Sequence, residues 1–312
     1  MVSMVLIIKG AKMSNWKRYK NGNYWVSIDL ENGTKVRDND LDNLTPAFAE
    51  NCDMTITHRC DGGCEFCYMG CTPDGKHGDI LNYKFLDTLH EYTELAINGN
   101  DLSHPDLIPF LKKLKEKKII ANMTVNQIHF ERCQNMIKNL INDGLIYGLG
   151  ISLKKPTKEF ISLVKQYPNA VVHTINGVTT IEDYKTLAHN DLKILILGYK
   201  ELQRGVEYMD SHHLSIAQAQ SELYDMLDKI VEDDWFDVVS FDNLAIEQLD
   251  VKRLLSDDEW NEFFMGQDME FTFYLDLVEG KFAGNSLALE NERYDILDNI
   301  DDMFQKIRKR SI

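Results

Sequence analysis

From about residue 52 onward, short β-branched or aliphatic runs alternate with amphipathic helical stretches, and this rhythm restricts the fold more than any other feature. Residues 53–58, 94–98, 119–126, 147–153, 170–175, 192–197 and 237–241 read as strands. Between them, residues 83–92, 105–117, 131–143, 157–166, 181–189 and 215–231 carry helical periodicity. Regular βα alternation calls for parallel strands, because a parallel neighbour is reached only through a crossover. Parallel strands are covered on both faces and read as unbroken apolar runs, as Lys193-Ile194-Leu195-Ile196-Leu197 does. Six or seven βα units fall short of the eight that close a TIM barrel. The expected fold is α/β: a partial (β/α)6 TIM-like barrel.

The flanks break the rhythm. Residues 1–51 are expected to form an N-terminal β-hairpin extension. There Asn23-Tyr24-Trp25-Val26-Ser27-Ile28-Asp29-Leu30 alternates apolar with polar residues, the Asn32-Gly33 pair supplies a tight turn, and Lys35-Val36-Arg37 returns. The barrel core is expected over 52–245. A C-terminal α+β extension, 246–312, would cover it, with a strand at 270–277, an unassigned stretch at 286–288 and a closing helix at 294–308. The basic tail Lys306, Arg308, Lys309 and Arg310 suits the negative end of that helix.

Composition narrows the function. The net charge of −16 argues against an extended grip on nucleic-acid backbone, which needs surplus Lys and Arg. The longest early apolar run, Val5-Leu6-Ile7-Ile8, is far below the roughly 20 residues of a membrane span, so neither membrane nor export is expected, and the setting reads as cytoplasmic. Five of six cysteines (Cys52, Cys60, Cys64, Cys67 and Cys71) crowd into twenty residues, and only Cys133 lies apart. Clustered thiols in a reducing compartment suggest metal or redox chemistry rather than disulfides.

Cys60, Cys64 and Cys67 are spaced C-x3-C-x2-C in the loop leaving the first barrel strand, the end at which a βα barrel keeps its active site. Gly62 and Gly63 let the backbone turn sharply enough for the sulfurs to converge. Three thiolates hold three irons of a [4Fe–4S] cluster and leave the fourth iron open. Other readings remain. With Cys71 the run is C-x3-C-x2-C-x3-C, near the ferredoxin pattern but without its further cysteines. A four-cysteine zinc staple would want two separated pairs, and coincidental buried thiols are improbable at this density.

Spacing and context resemble the radical S-adenosylmethionine (radical SAM) superfamily over roughly residues 52–245, and Phe66 before the third cysteine fits it. The resemblance implies that Cys60, Cys64 and Cys67 ligate a [4Fe–4S] cluster whose open iron is chelated by SAM. Reductive cleavage would then give methionine and a 5′-deoxyadenosyl radical that takes hydrogen from an unidentified substrate. Where the superfamily has Gly-Gly-Glu-Pro, this chain has Asn98-Gly99-Asn100, followed by an intact His104-Pro105-Asp106-Leu107. Asn100 or Asp101 would take over from the missing carboxylate. Asn126, after Thr124-Val125, and Ser152, in Ile151-Ser152-Leu153, resemble the family's cofactor contacts. Tyr199 follows a glycine that would let the chain approach adenine. Lys154, His173, Asn176 and Asp242 fall at strand ends and make up the expected substrate pool, with Lys200 beside them.

Three function classes therefore stand: a radical SAM enzyme, an iron–sulfur carrier or sensor without SAM chemistry, and a zinc-stapled interaction module. The long βα array favours the first, since neither carrier nor staple needs such a scaffold. No cysteine follows Cys133, which leaves no ligands for auxiliary clusters. A flavodoxin- or ferredoxin-type electron donor is implied. Being acidic, it would need a local basic dock on an acidic chain, for which Arg59 or Lys76 is expected.

Overall fold

A computed structural model of the chain describes residues 15–38 and 43–309. The run Val5-Leu6-Ile7-Ile8 and Arg310 of the basic tail lie outside the described residues. The described residues open on a three-stranded antiparallel sheet of β1 (Trp16–Asn21), β2 (Tyr24–Asp29) and β3 (Lys35–Asp38). The expected hairpin is β2–β3, and β1 adds a strand to it. The β1–β2 turn depends on Gly22 (φ 61°), where a Cβ would lie 1.7 Å from Thr45 O.

The main sheet takes up β4 (Asn51–Thr55), β5 (Glu94–Asn100), β6 (Ile120–Asn126), β7 (Leu149–Ser152), β8 (Ala170–Ile175), β9 (Lys193–Leu197) and β10 (Val238–Phe241), seven parallel neighbours in sequence order. Helices α1 (Leu107–Glu116), α2 (Gln127–Arg132), α3 (Gln134–Asn142), α4 (Lys158–Val164), α5 (Ile181–Leu187) and α6 (Arg204–Glu232) make the crossovers. After β10 come α7 (Asn243–Gln248) and α8 (Asp257–Phe263). Then β11 (Thr272–Asp276) pairs parallel with β4, and β12 (Lys281–Ala283) and β13 (Tyr294–Asp295) extend the same edge antiparallel. The last described helix is α9 (Ile300–Arg308). The C-terminal segment thus continues the barrel sheet.

Local chemistry sets the helix limits. Thr157 caps α4 by accepting from Phe160 N, and Thr180 closes a capping box with Asp183 on α5. The single helix expected at 131–143 is two, because it starts earlier, capped by Asn126, and breaks at Cys133 (φ −105°, ψ 27°). Only a 3-10 turn, Lys84–Asp87, occupies 83–92. There Thr88 Oγ1 bonds back to Phe85 O at 2.8 Å and Tyr92 turns left-handed (φ 65°). The closing helix starts at Ile300, capped by Asn299, since Tyr294 and Asp295 are drawn into β13.

The sheet is rolled. Asn51, Ala96, Thr124, Val171, Leu195 and Ser240, one from each of six strands, face one cavity of about 310 Å³ at the strands' N-terminal ends. Alternate residues such as Met54, Ile97, Met123, Ile151, Val172 and Ile194 point outward, at most 1 % exposed, into the layer shared with Phe110, Phe130, Phe160 and Leu227. Full burial of each such side chain is worth about 1.5–3 kcal/mol, so the rolled sheet and its helical jacket stabilise each other. Among the described residues no ladder joins β10 to β11, so the roll stays open along that seam. The N-terminal sheet stops its lower end. Lys35 on β3 pairs with Glu94 of β5 and with Glu50, which also takes Arg37 Nε at 2.9 Å. No helix among the described residues is long and apolar enough to cross a membrane.

Candidate functional site

The loop leaving β4 is folded back on itself before it reaches the cysteines. His58 N donates to Lys76 O (2.9 Å), Cys60 N to Thr72 O (2.9 Å) and Thr72 N to His58 O (3.2 Å). Gly75 lies so close to this strand-like pair that a Cβ would stand 2.0 Å from His58 O. The fold-back delivers Cys60, Cys64, Cys67 and Cys71 to the wall of a cavity of about 240 Å³ at the C-terminal mouth of the barrel.

The two glycines of the motif act differently. Gly63 takes φ 60°, where glycine is favoured, while a Cβ on Gly62 would press Cys60 Sγ at 3.3 Å and His129 Cε1 at 3.4 Å. One side of α2 grips the loop from outside. His129, fully buried, shares a 2.5 Å hydrogen bond with Asp61 Oδ1, and Arg132 donates to both Asp61 oxygens at 2.9 and 3.2 Å. Arg132 first, then His129, hold the Asp61 carboxyl well below the usual carboxylate range. At the cap of the same helix, Asn126 Nδ2 donates to Cys64 Sγ at 3.3 Å. From the other flank Arg204, at the start of α6, donates to Cys64 O (3.1 Å) and Cys71 O (3.0 Å).

Burial pushes the Cys60 and Cys64 thiols up. Cys67 is held down, first by the Cys71 thiol and then, against burial, by the backbone N–H groups of Cys71 and Met69, while Cys71 is raised by the same contact. Lys154 and Arg204 both lower Cys64. The trio is thus a set of thiols beside two cations and several N–H donors, a setting suited to a thiolate-held, electron-rich group. Among the described residues no three or more of His, Cys, Asp and Glu are grouped to hold a single metal ion. A cluster places each thiolate on its own iron and does not need the sulfurs around one ion. The donor set and its surroundings fit a cluster.

Of the other residues marked in the sequence, Phe66, Asn98, Asn100, Asn126, Ser152, Tyr199 and His173 line this cavity. Both asparagines turn toward the loop. Asn98 accepts from Ile56 N (2.7 Å) and donates to Thr57 O (3.0 Å), and Asn100 Nδ2 donates to Thr57 O (3.0 Å) and sits 3.4 Å from Cys71 Sγ. Gly99 packs away, where a Cβ would meet Met123 at 2.8 Å. Phe66 meets Tyr208 edge-on, and Tyr199 OH donates to Gly205 O at 2.7 Å. Lys154 Nζ reaches Gly62 O at 3.2 Å, on the cysteine side. His173 lies in the barrel waist beside both cavities, over Gly150, whose missing Cβ would fall 2.4 Å from its ring. Burial pushes His173 down to about 4, so it is neutral near pH 7. Asn176 and Asp242 are not brought to the wall: Asn176 bonds Gln248 (3.1 Å), and Asp242 caps α7 while accepting from Gly198 N (2.8 Å).

No family model matches the sequence, and no curated protein matches it. Solved structures do. The crystal structure of Streptococcus suis SuiB bound to S-adenosylmethionine superposes with a TM-score of 0.58 at 12% identity, covering 94% of this chain and 89% of that one. A second structure of Streptococcus suis SuiB gives 0.56 at 12% identity, over 95% and 89%. The fold resembles that of SuiB. At this identity the likeness concerns the fold, and it runs through nearly all of both chains, flanks included.

Sequence reasoning passed over Asp61, His129, Arg132, Arg204 and Ser286. Asp61 stands inside the motif and offered a signal, a charged residue where only glycine was needed. The others are distant in sequence and meet the loop only in the folded chain. Ser286, after β12, lines the cavity across the open seam and accepts from Lys200 Nζ at 3.2 Å, while the ammonium lies 4.4 Å from the Tyr68 ring centre.

Proposed function

We propose that this chain is a radical SAM enzyme. The observation that carries the reading is the C-x3-C-x2-C loop, folded back so that Cys60, Cys64 and Cys67 line the C-terminal mouth of a parallel, rolled sheet. Support comes from the likeness to SuiB, whose crystal structure contains S-adenosylmethionine. Cys60, Cys64 and Cys67 would hold a [4Fe–4S] cluster, with Asn98, Asn100, Ser152, Tyr199 and Phe66 on the side for SAM. When bound, the two groups supply one-electron cleavage of SAM and a 5′-deoxyadenosyl radical that removes hydrogen from a substrate.

The chain's own part is positional. Asp61, His129 and Arg132 fix the loop from outside, and Arg204 fixes its carbonyls. Ser286 and Lys200 close the cavity across the seam, which limits water around a reactive radical. Lys154 and His173 remain the substrate-side proposal, with His173 offering a neutral ring, while Asn176 and Asp242 stand behind the wall and drop out of that proposal. A flavodoxin- or ferredoxin-type donor would dock near Arg59 or Lys76, in a cytoplasmic setting. Charge reversal at both should slow donor-dependent reduction and leave chemical reduction unchanged.

The test is anaerobic reconstitution with iron and sulfide, reduction, and EPR with and without SAM. A [4Fe–4S]⁺ signal that shifts on adding SAM is expected, with four irons per chain lost in Cys64→Ala. A signal indifferent to SAM would leave a carrier, and stoichiometric zinc without iron would overturn the reading.

A further inference from the structure

Asn126 closes β6, and its carboxamide is committed at both ends. Oδ1 accepts from Ile128 N at 3.0 Å, capping α2, and Nδ2 donates to Cys64 Sγ at 3.3 Å. The cap settles which end is nitrogen, because a flipped amide would set NH₂ against the Ile128 N–H. Lys154 Nζ approaches the same sulfur at 4.0 Å while anchored on Gly62 O, and its backbone N–H is held by Gln127 Oε1 at 2.8 Å. The other two sulfurs are served from within the loop: Cys60 Sγ by Gly62 N at 3.4 Å, and Cys67 by the Cys71 thiol and the N–H groups of Cys71 and Met69. Among the described residues, Cys64 is the one of the three sulfurs with a hydrogen bond from a barrel side chain.

An iron–sulfur cluster takes its added electron partly onto sulfur, so an N–H aimed at a ligand sulfur stabilises the reduced form more than the oxidised one. We infer that Asn126, with Lys154 beside it, is a positioning residue that donates to the Cys64 sulfur and raises the cluster's reduction potential. The inference rests on the radical SAM reading for the cluster. It assigns Asn126 to that sulfur and not to SAM. The preset amide needs no rearrangement on reduction, and in a chain of net charge −16 a local donor and cation offset the field opposing an added electron.

The experiment is an EPR-monitored redox titration of the reconstituted full chain without SAM, paired with equilibrium dialysis of SAM on the oxidised protein. Asn126→Ser keeps a capping oxygen and loses the reach to sulfur, so its midpoint should fall while iron content and SAM affinity stay within about twofold. Lys154→Met should lower the midpoint as well, Lys154→Arg should restore it, and the double variant should lie lowest. If Asn126→Ser fails to hold iron, Asn126→Thr carries the same test, since it too keeps a capping oxygen and lacks an N–H that reaches the sulfur. An unchanged midpoint in a variant with full iron content overturns the inference, as does a loss of SAM affinity with the midpoint fixed. Absence of any cluster in the wild-type chain overturns the inference and the function reading together. An intact SAM-responsive cluster with an unmoved potential overturns the inference alone.

Discussion

Glu50 is the residue on which the lower end of the barrel turns. Its side chain is 1 % exposed and receives Arg37 Nε, Arg37 Nη2 (3.2 Å) and Tyr24 OH (2.6 Å), with Lys35 at 3.6 Å. Burial pushes its carboxyl up, yet Lys35, then Arg37 and the hydrogen bonds hold it below the ordinary glutamate range. A carboxyl lowered on folding stabilises above its unfolded value of about 4.3 and loses that contribution as pH falls through the folded one. The stability of the wild-type chain should therefore drop below about pH 4. Glu50→Gln should flatten that acid limb and cost about 3 kcal/mol at pH 7, because it leaves the buried Arg37 without its carboxylate and Lys35 with Glu94 alone, as read by urea unfolding across pH. His173 has the same sign in another window. Its pKa, lowered to about 4, gives a contribution complete above the unfolded value of about 6.5 and lost between there and pH 4, a slope that His173→Gln should remove.

At the scale of elements, α2 has only six residues, too short to persist alone, and it is held by what it grips. Asn126, His129 and Arg132 are spaced three apart, so they lie on one side of the helix and meet the cysteine loop together. Asp61→Asn removes the charge that gathers two of them. A charge-assisted bond contributes about 1.5 kcal/mol or more, so amide exchange over residues 60–71 should quicken about tenfold, while exchange in β8 and β9 stays unchanged. Equal acceleration everywhere would mean that Asp61 matters for global stability instead. The long α6 behaves differently. It departs from helical angles at His212 (φ −128°), and its first turns serve the loop through Arg204 while its later ones, from Ile216 to Ile230, pack into the body.

For the whole molecule, the open seam between β10 and β11 is the weak line, and polar contacts stitch it. Asp268 accepts from Asn243 (2.7 Å), just after β10, and from Asn285 (2.8 Å), just after β12. With the Lys200–Ser286 bond, these tie the two edges over the cavity. Asp268→Ala should cost about 1–3 kcal/mol in urea unfolding by leaving the two amides unpaired, and should expose residues 284–293 to limited proteolysis. Unaltered cleavage there would show that β12 and β13 hold the segment without the stitch.

What the sequence determined by itself is local. The apolar run of β9 is legible because a parallel strand covered on both faces is mostly apolar, and the crossovers follow from chain connectivity. Strands β5 and β6 keep their apolar residues on the outer face while Glu94, Asn98, Asn122 and Thr124 turn inward. The C-x3-C-x2-C motif is legible because its chemistry lies within eight residues. Only the tertiary structure decided the rest. The pairing of β11 with β4 joins residues more than two hundred apart, set by where the rolled sheet brings its edge. Asn98 and Asn100 carry no local sign that they will bond the loop beside them. Asp61 finds His129 and Arg132, and Cys64 finds Asn126, because β4 and β6, parallel with β5 between them, deliver their following segments to one rim. Hydrogen-bond partners are chosen by distance in space, and that distance exists only once the sheet has rolled.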